Sequence, residues 1–233
     1  MALTPEQRRK NLRLGLIPQW VRVDGHWTIR SAVDYARICN AIVDGVHAVG
    51  VLDNEVACGV TAPRGNNNPR GLKPSVSPLA FMRAMAAAGA RGFDAYAHHP
   101  YYGAPRETPT TPPPGPYAIT LVRIDRLIDQ VTQLWGPIPI WLTEYGYQTN
   151  PPDRTFGVSY EQQAEYLEQA FTIAYENPRI DMILNFLLQD EPRVEKGWQS
   201  GLVAANGRKK PAFFAFQDWV DALRCDEDPT CRP

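Results

Sequence analysis

Ile140-Trp141-Leu142-Thr143-Glu144-Tyr145-Gly146-Tyr147-Gln148-Thr149 follows directly on Gly136-Pro137-Ile138-Pro139, a strong stop for whatever precedes it. The stretch is apolar at first and then breaks into a polar, aromatic, glycine-containing end. A short apolar run between turn signals, with helical patterns on both sides, reads as a buried parallel strand. Chemistry on such strands gathers at the carboxyl end, where the loops open outward, and Glu144 sits at that end. A carboxylate among Trp141, Tyr145 and Tyr147 is an odd choice for a plain core strand, because an unpaired buried charge is costly. The stretch alone leaves two readings open, a structural ion pair with a neighbouring arginine or a catalytic carboxylate.

Outward from that strand the chain repeats itself. Ser31 with Asp34 marks a helix start, and Tyr35, Ile38, Cys39, Ile42, Val43 and Val46 give an apolar stripe. Glu55 to Pro63 reads as a strand entering a Gly/Asn-rich loop over 65–71. Ser77-Pro78 opens a second helix with proline at its first position, and Gly89 ends it. Phe93 to Tyr102 is the next strand with its outgoing loop, and the proline-rich run to Pro116 is an extended surface segment. A third helix, through Leu121, Ile124, Leu127, Ile128, Val131 and Leu134, leads into the Glu144 strand. Ser159-Tyr160-Glu161-Gln162 fits a capping box for a fourth helix, stopped by Asn177-Pro178. Ile180 to Leu188 is a last buried strand, and Phe213, Phe214, Phe216, Trp219, Val220 and Leu223 lie on a closing helix. Residues before 31 are less regular, with a hairpin expected around Asp24-Gly25.

Four strands alternating with helices make an α/β chain built on a parallel sheet. Three of the strands end in residues with chemical potential, namely His98-His99-Pro100-Tyr101, Glu144-Tyr145 and Gln189-Asp190. That recurrence is expected of the active-site rim of a (β/α) barrel. Strand alternation turns His98 away from the site that His99 faces.

The totals set bounds. A chain of 233 residues with 44% hydrophobic content can bury one core. A net charge of −1 gives no footprint for nucleic acid or an anionic membrane. No apolar run reaches spanning length, and the first residues lack the apolar core of a signal peptide. Cys39 and Cys58 fall on apolar faces and read as small core residues. Cys225 and Cys231 bracket a polar tail, closing a small disulfide loop in an exported protein and remaining free thiols otherwise. No Cys/His spacing resembles a zinc site. Arg8-Arg9-Lys10 reads as a solvated basic stretch.

Trp141-Leu142-Thr143-Glu144-Tyr145-Gly146 resembles the seventh strand of the retaining (β/α)8 glycoside hydrolases, the clan A cellulase-like and xylosidase-like enzymes. Asp94 to Tyr101 resembles their sixth strand. Leu187-Leu188-Gln189-Asp190, Gly197 to Leu202 and Lys210 to Phe216 resemble the eighth strand, its loop and the last helix. The resemblance covers roughly residues 31–223 and corresponds to the C-terminal half of the barrel. It implies Glu144 as the catalytic nucleophile of O-glycoside hydrolysis, a chemistry that uses neither metal nor organic cofactor. It implies His99, Tyr101, Gln189, Asp190 and Trp198 along the carbohydrate subsites, Trp198 by stacking on a sugar face. The partner implied is an oligo- or polysaccharide or another glycoside, with neither nucleic acid nor membrane. The family is often secreted; the chain itself leaves localisation open.

One departure is as informative. The clan's acid/base is the Glu of an Asn-Glu-Pro motif, and no such motif occurs here. Asn54-Glu55 is followed by Val56 and stands in a turn before a strand. Retaining hydrolysis needs two carboxyl groups about 5–5.5 Å apart, and only the nucleophile is legible. The expected organisation is an N-terminal segment 1–30, a partial barrel of strands five to eight over 31–224, and a polar tail 225–233. Open sheet edges in such a half barrel invite self-association. Besides a hydrolase, the sequence is compatible with a non-catalytic carbohydrate-binding or partner-completed module, or with a truncated remnant of a glycosidase.

Overall fold

The computed structural model describes residues 18–50, 54–194 and 197–227, with side chains to residue 224. The readings placed on residues 8–10 and on a Cys225–Cys231 pair lie outside the described residues. The chain divides into two compact units. One comprises Met1–His98, Pro114–Ile119 and Arg123–Ile140, the other His99–Pro113, Thr120–Val122 and Trp141–Pro233.

In the first unit, β1 (Val21–Val23) and β2 (His26–Thr28) pair antiparallel, with Val21 opposite Thr28 and Val23 opposite His26. Asp24 at φ 47° and Gly25 at φ 83° form the turn, as the Asp-Gly pair requires. Helix α1 (Arg30–Ala48) follows. Its N-cap is Ile29 without a side-chain cap, not Ser31, because Asp34 takes the Arg30 Nε at 2.7 Å instead of reaching the helix end. The apolar stripe is also rotated from the expected one. Ala32, Ala36, Cys39 and Val43 are buried, whereas Ile38 and Ile42 are 53% and 50% exposed. Small side chains on the inward stripe permit close packing, and the Cys39 and Cys58 Cα atoms stand 6.1 Å apart. The two cysteines form a disulfide. This corrects the expectation of two unpaired core thiols: the inner stripe of α1 and the core face of the next strand meet at the same point.

That strand, β3 (Ala57–Thr61), pairs in parallel with β4 (Ala95–His98), Ala57 opposite Ala95 and Cys58 opposite Tyr96, before a bulge shifts Thr61 opposite His98. Gly59, at φ 112°, enters the bulge where a Cβ would stand 2.5 Å from the Tyr96 ring. Helix α2 (Pro78–Ala87) starts on Ser77 with proline at its first turn and buries Met82 and Met85. After a 3₁₀ turn at Leu121–Arg123, helix α3 (Ile124–Trp135) buries Leu127, Ile128 and Val131.

The remaining elements are β5 (Ile140–Tyr145), α4 (Tyr160–Tyr175), β6 (Ile180–Asn185) and α5 (Pro211–Glu227). The expected capping box of α4 is present, with Ser159 accepting from the Gln162 amide and Gln162 returning a bond to the Ser159 amide. In the second unit Leu167, Phe171, Leu202 and Ala212 form a core joined by Ile183, Phe216 and Trp219. The protein is thus α/β, with a parallel sheet of four strands in the order β3-β4-β5-β6 alternating with helices.

Candidate active site

Glu144 stands one residue from the end of β5 with its side chain 35% exposed. Its neighbours come from the chain just beyond β4. The Tyr101 hydroxyl donates to Glu144 Oε2 at 3.1 Å, and His99 Nδ1 lies 3.3 Å from the same oxygen. The other ring nitrogen of His99, Nε2, is 2.9 Å from the Thr143 hydroxyl. The arginine partner that would make Glu144 a structural ion pair is absent among the described residues; its company is a ring and a phenol.

The protonation states follow from burial. Burial pushes the Tyr101 phenol far above its ordinary range, and the Glu144 charge adds to the effect, so Tyr101 remains an O–H donor. Burial also lowers the His99 pKa, against the opposing pull of Glu144. Burial is the larger of the two influences, so His99 is a neutral imidazole at neutral pH. A neutral ring carries one N–H. With that hydrogen on Nδ1 it faces the carboxylate, and Nε2 accepts from Thr143.

An aromatic wall stands beside the carboxylate. The Tyr101 and Trp198 rings are stacked at 6.0 Å and 24°. Phe186 meets both edge-on, at 6.4 Å from Tyr101 and 5.7 Å from Trp198. Trp198 is 46% exposed. A flat ring that is anchored on one face and open on the other offers an apolar platform next to an acid group.

The six residues singled out from the sequence therefore separate. Glu144, His99, Tyr101 and Trp198 belong to one cluster. Gln189 and Asp190 are engaged elsewhere. The Gln189 amide donates to the Ala204 and Ala205 carbonyls. Asp190 is buried, accepting from Lys210 Nζ and the Gly201 amide. The pair thus closes the loop after β6. His98 is fully buried between Thr61 and the Ile119 carbonyl, the core histidine that alternation implied. Asn54-Glu55 lies exposed ahead of β3.

Phe186 and Thr143 escaped the sequence reading. Phe186 continues an apolar run and looks like strand interior. Phe186 lies just past the end of β6, its amide bonded to the Tyr145 carbonyl at 2.7 Å, and Leu187 after it turns to φ 78°. A single leucine in the left-handed region leaves no sequence signal. Among the described residues no group of His, Cys, Asp and Glu is placed to hold a metal ion, and no helix is long and apolar enough to cross a membrane.

No family profile matches the chain, and no curated protein matches it in sequence. Among solved structures it is similar to a GH2 β-galacturonidase from Eisenbergiella tayi bound to galacturonate, with 15% identity and TM-score 0.42 over 59% of this chain and 28% of that one. A β-D-glucuronidase from Dictyoglomus thermophilum aligns with 14% identity and TM-score 0.40 over 60% of this chain and 28% of that one. A β-glucuronidase from Ruminococcus gnavus in complex with uronic deoxynojirimycin aligns with 21% identity and TM-score 0.38 over 55% of this chain and 22% of that one. The aligned part thus spans well under a third of each of these enzymes.

Proposed function

We propose that the protein is glycoside-hydrolase-like, with Glu144 in the position of the nucleophile of retaining O-glycoside hydrolysis. The observation that carries the reading is the Glu144 carboxylate held by the Tyr101 O–H beside a neutral His99, with the Trp198–Tyr101–Phe186 wall at its side. Sugars present apolar C–H faces and polar rims, which an aromatic platform next to a carboxylate suits. The sequence resemblance at Thr143-Glu144-Tyr145-Gly146 and His99-Pro100-Tyr101 points the same way.

In this reading a Glu144 oxygen attacks the anomeric carbon. The C–O bond to the leaving group breaks, and a covalent glycosyl-enzyme forms, which water then hydrolyses with retention. Tyr101 and His99 orient the attacking oxygen. A protonated acid must neutralise the departing oxygen, and the Asn-Glu-Pro motif that supplies it in the family is not in this sequence. That one fact favours a second reading, a carbohydrate-binding or partner-completed module in which the half-site holds sugar but does not protonate a leaving group. In both readings β3 to β6 correspond to strands five to eight of a (β/α)8 barrel, residues 31–224 form the barrel part, and carbohydrate is the ligand.

The test is intact-mass spectrometry and peptide mapping after incubation with activated 2-fluoro glycosides, whose good leaving groups need little acid assistance. An adduct on Glu144 is expected, and Glu144→Gln should abolish it without lowering thermal stability. A folded protein that binds the sugars yet forms no adduct leaves the binding module as the answer.

A further inference from the structure

Lys210 is the most deeply buried cation among the described residues, with its side chain 0% exposed and its partner Asp190 at 2%. A buried ion pair is expensive to assemble and adds little net stability over apolar packing. What it does secure is geometry. The ammonium has three donors, and three acceptors surround it: Thr149 Oγ1 at 3.0 Å, Asp190 at 2.8 Å and the Gln199 carbonyl at 3.1 Å. Each belongs to a different part of the second unit. Thr149 lies on the loop leaving the Glu144 strand, Asp190 on the loop leaving β6, and Gln199 directly follows Trp198.

The backbone around Trp198 is held by several hydrogen bonds. The Trp198 amide donates to Glu191 Oε2 at 2.6 Å, and its carbonyl accepts from the Glu191 amide at 3.0 Å. One residue on, the Gln199 carbonyl takes Lys210 Nζ and the Thr149 amide and hydroxyl. Asp190 also accepts the Gly201 amide at 2.9 Å, where a Cβ would stand 2.5 Å from the Asp190 nitrogen. Trp198 itself is 46% exposed, so its backbone bonds act together with the Tyr101 and Phe186 ring contacts in holding the indole.

We propose that Lys210 is a positioning residue, whose buried ammonium joins the loops after β5 and β6 to the Gln199 carbonyl and thereby sets the Trp198 ring against Tyr101. Trp198 is then a placed platform, not a free loop side chain, and Asp190 serves the same lock instead of touching sugar. The consequence for ligand rests on the carbohydrate reading above; the placement of Trp198 does not.

The experiment uses the full chain labelled with 5-fluorotryptophan, with Trp198→Phe identifying the Trp198 signal. In Lys210→Met the Trp198 ¹⁹F resonance should shift toward the free amino acid and sharpen. The Trp135 signal should stay in place and thermal unfolding remain cooperative. Asp190→Asn, which keeps volume, should move the same signal in the same direction and decides the matter if Lys210→Met does not fold. A Trp198 resonance unchanged in the folded variants overturns the proposal. Labelling by the activated 2-fluoro glycosides supplies the second readout. The concentration for half-maximal rate should rise about tenfold in the variants while the limiting rate holds, as misplacing a positioning group does. If the wild type does not label at all, the hydrolase reading fails while the ¹⁹F result still judges Lys210.

Discussion

At the scale of single residues, the site depends on His99 being neutral. Its pKa lies below the ordinary 6.5 because burial outweighs the Glu144 charge. The unfolded chain therefore binds more protons than the folded one as pH drops beneath about 6.5, and stability falls with pH there. The contribution is complete above the unfolded value and is lost as pH falls through the folded one. Between about pH 7 and pH 5 the melting temperature of the wild type should fall more steeply than that of His99→Gln; parallel curves would remove His99 from the account. The site was legible where residue type and alternation agreed. Glu144, with its carboxylate at a strand end, and the split between His98 and His99 are of this kind. It was illegible where a backbone turn decides. Phe186 joins the wall from just past the end of β6, where the chain turns at Leu187, and the Asp190 carboxylate is bonded by Lys210, twenty residues on.

At the scale of elements, apolar period and stop signals located every helix and strand of the sheet, since Pro, Gly and the Ser159 cap act locally. They misjudged how α1 is turned. The expected stripe used the bulky Ile38 and Ile42, whereas burial follows Ala32, Ala36, Cys39 and Val43, because what an inward stripe needs is close approach rather than volume. The disulfide rides on that rotation. Cys39 and Cys58 are separated by 19 residues, and a closed loop of that order contributes about 3 kcal/mol, chiefly by restricting the unfolded chain. The double variant Cys39→Ser, Cys58→Ser should lose about that much in urea unfolding, and the wild type should lose it on reduction. An unchanged midpoint under reductant would show that the bond does not hold α1 to β3 in solution.

At the scale of the molecule, the sheet ends in β3 on one side and β6 on the other. Val60 on β3 is 48% exposed, and on and after β6 Leu184 and Leu188 are 45% and 67% exposed. Outer strands bearing apolar side chains recruit further chains, so sedimentation velocity should show a weight-average mass that rises with concentration. A single monomeric species across the range would count against the half-barrel reading. The path of the chain carries one more consequence. It crosses between the two units after His98, Pro113, Ile119, Val122 and Ile140. The segment bearing His99 and Tyr101 is thus tethered at both ends to the first unit, while Glu144 and Trp198 lie in the second unit's own long run. A cut after Ile140, by gene design or by protease, parts His99 and Tyr101 from Glu144 and Trp198. A fragment beginning at Trp141 keeps the acid and the indole but discards the imidazole and the phenol that dress them.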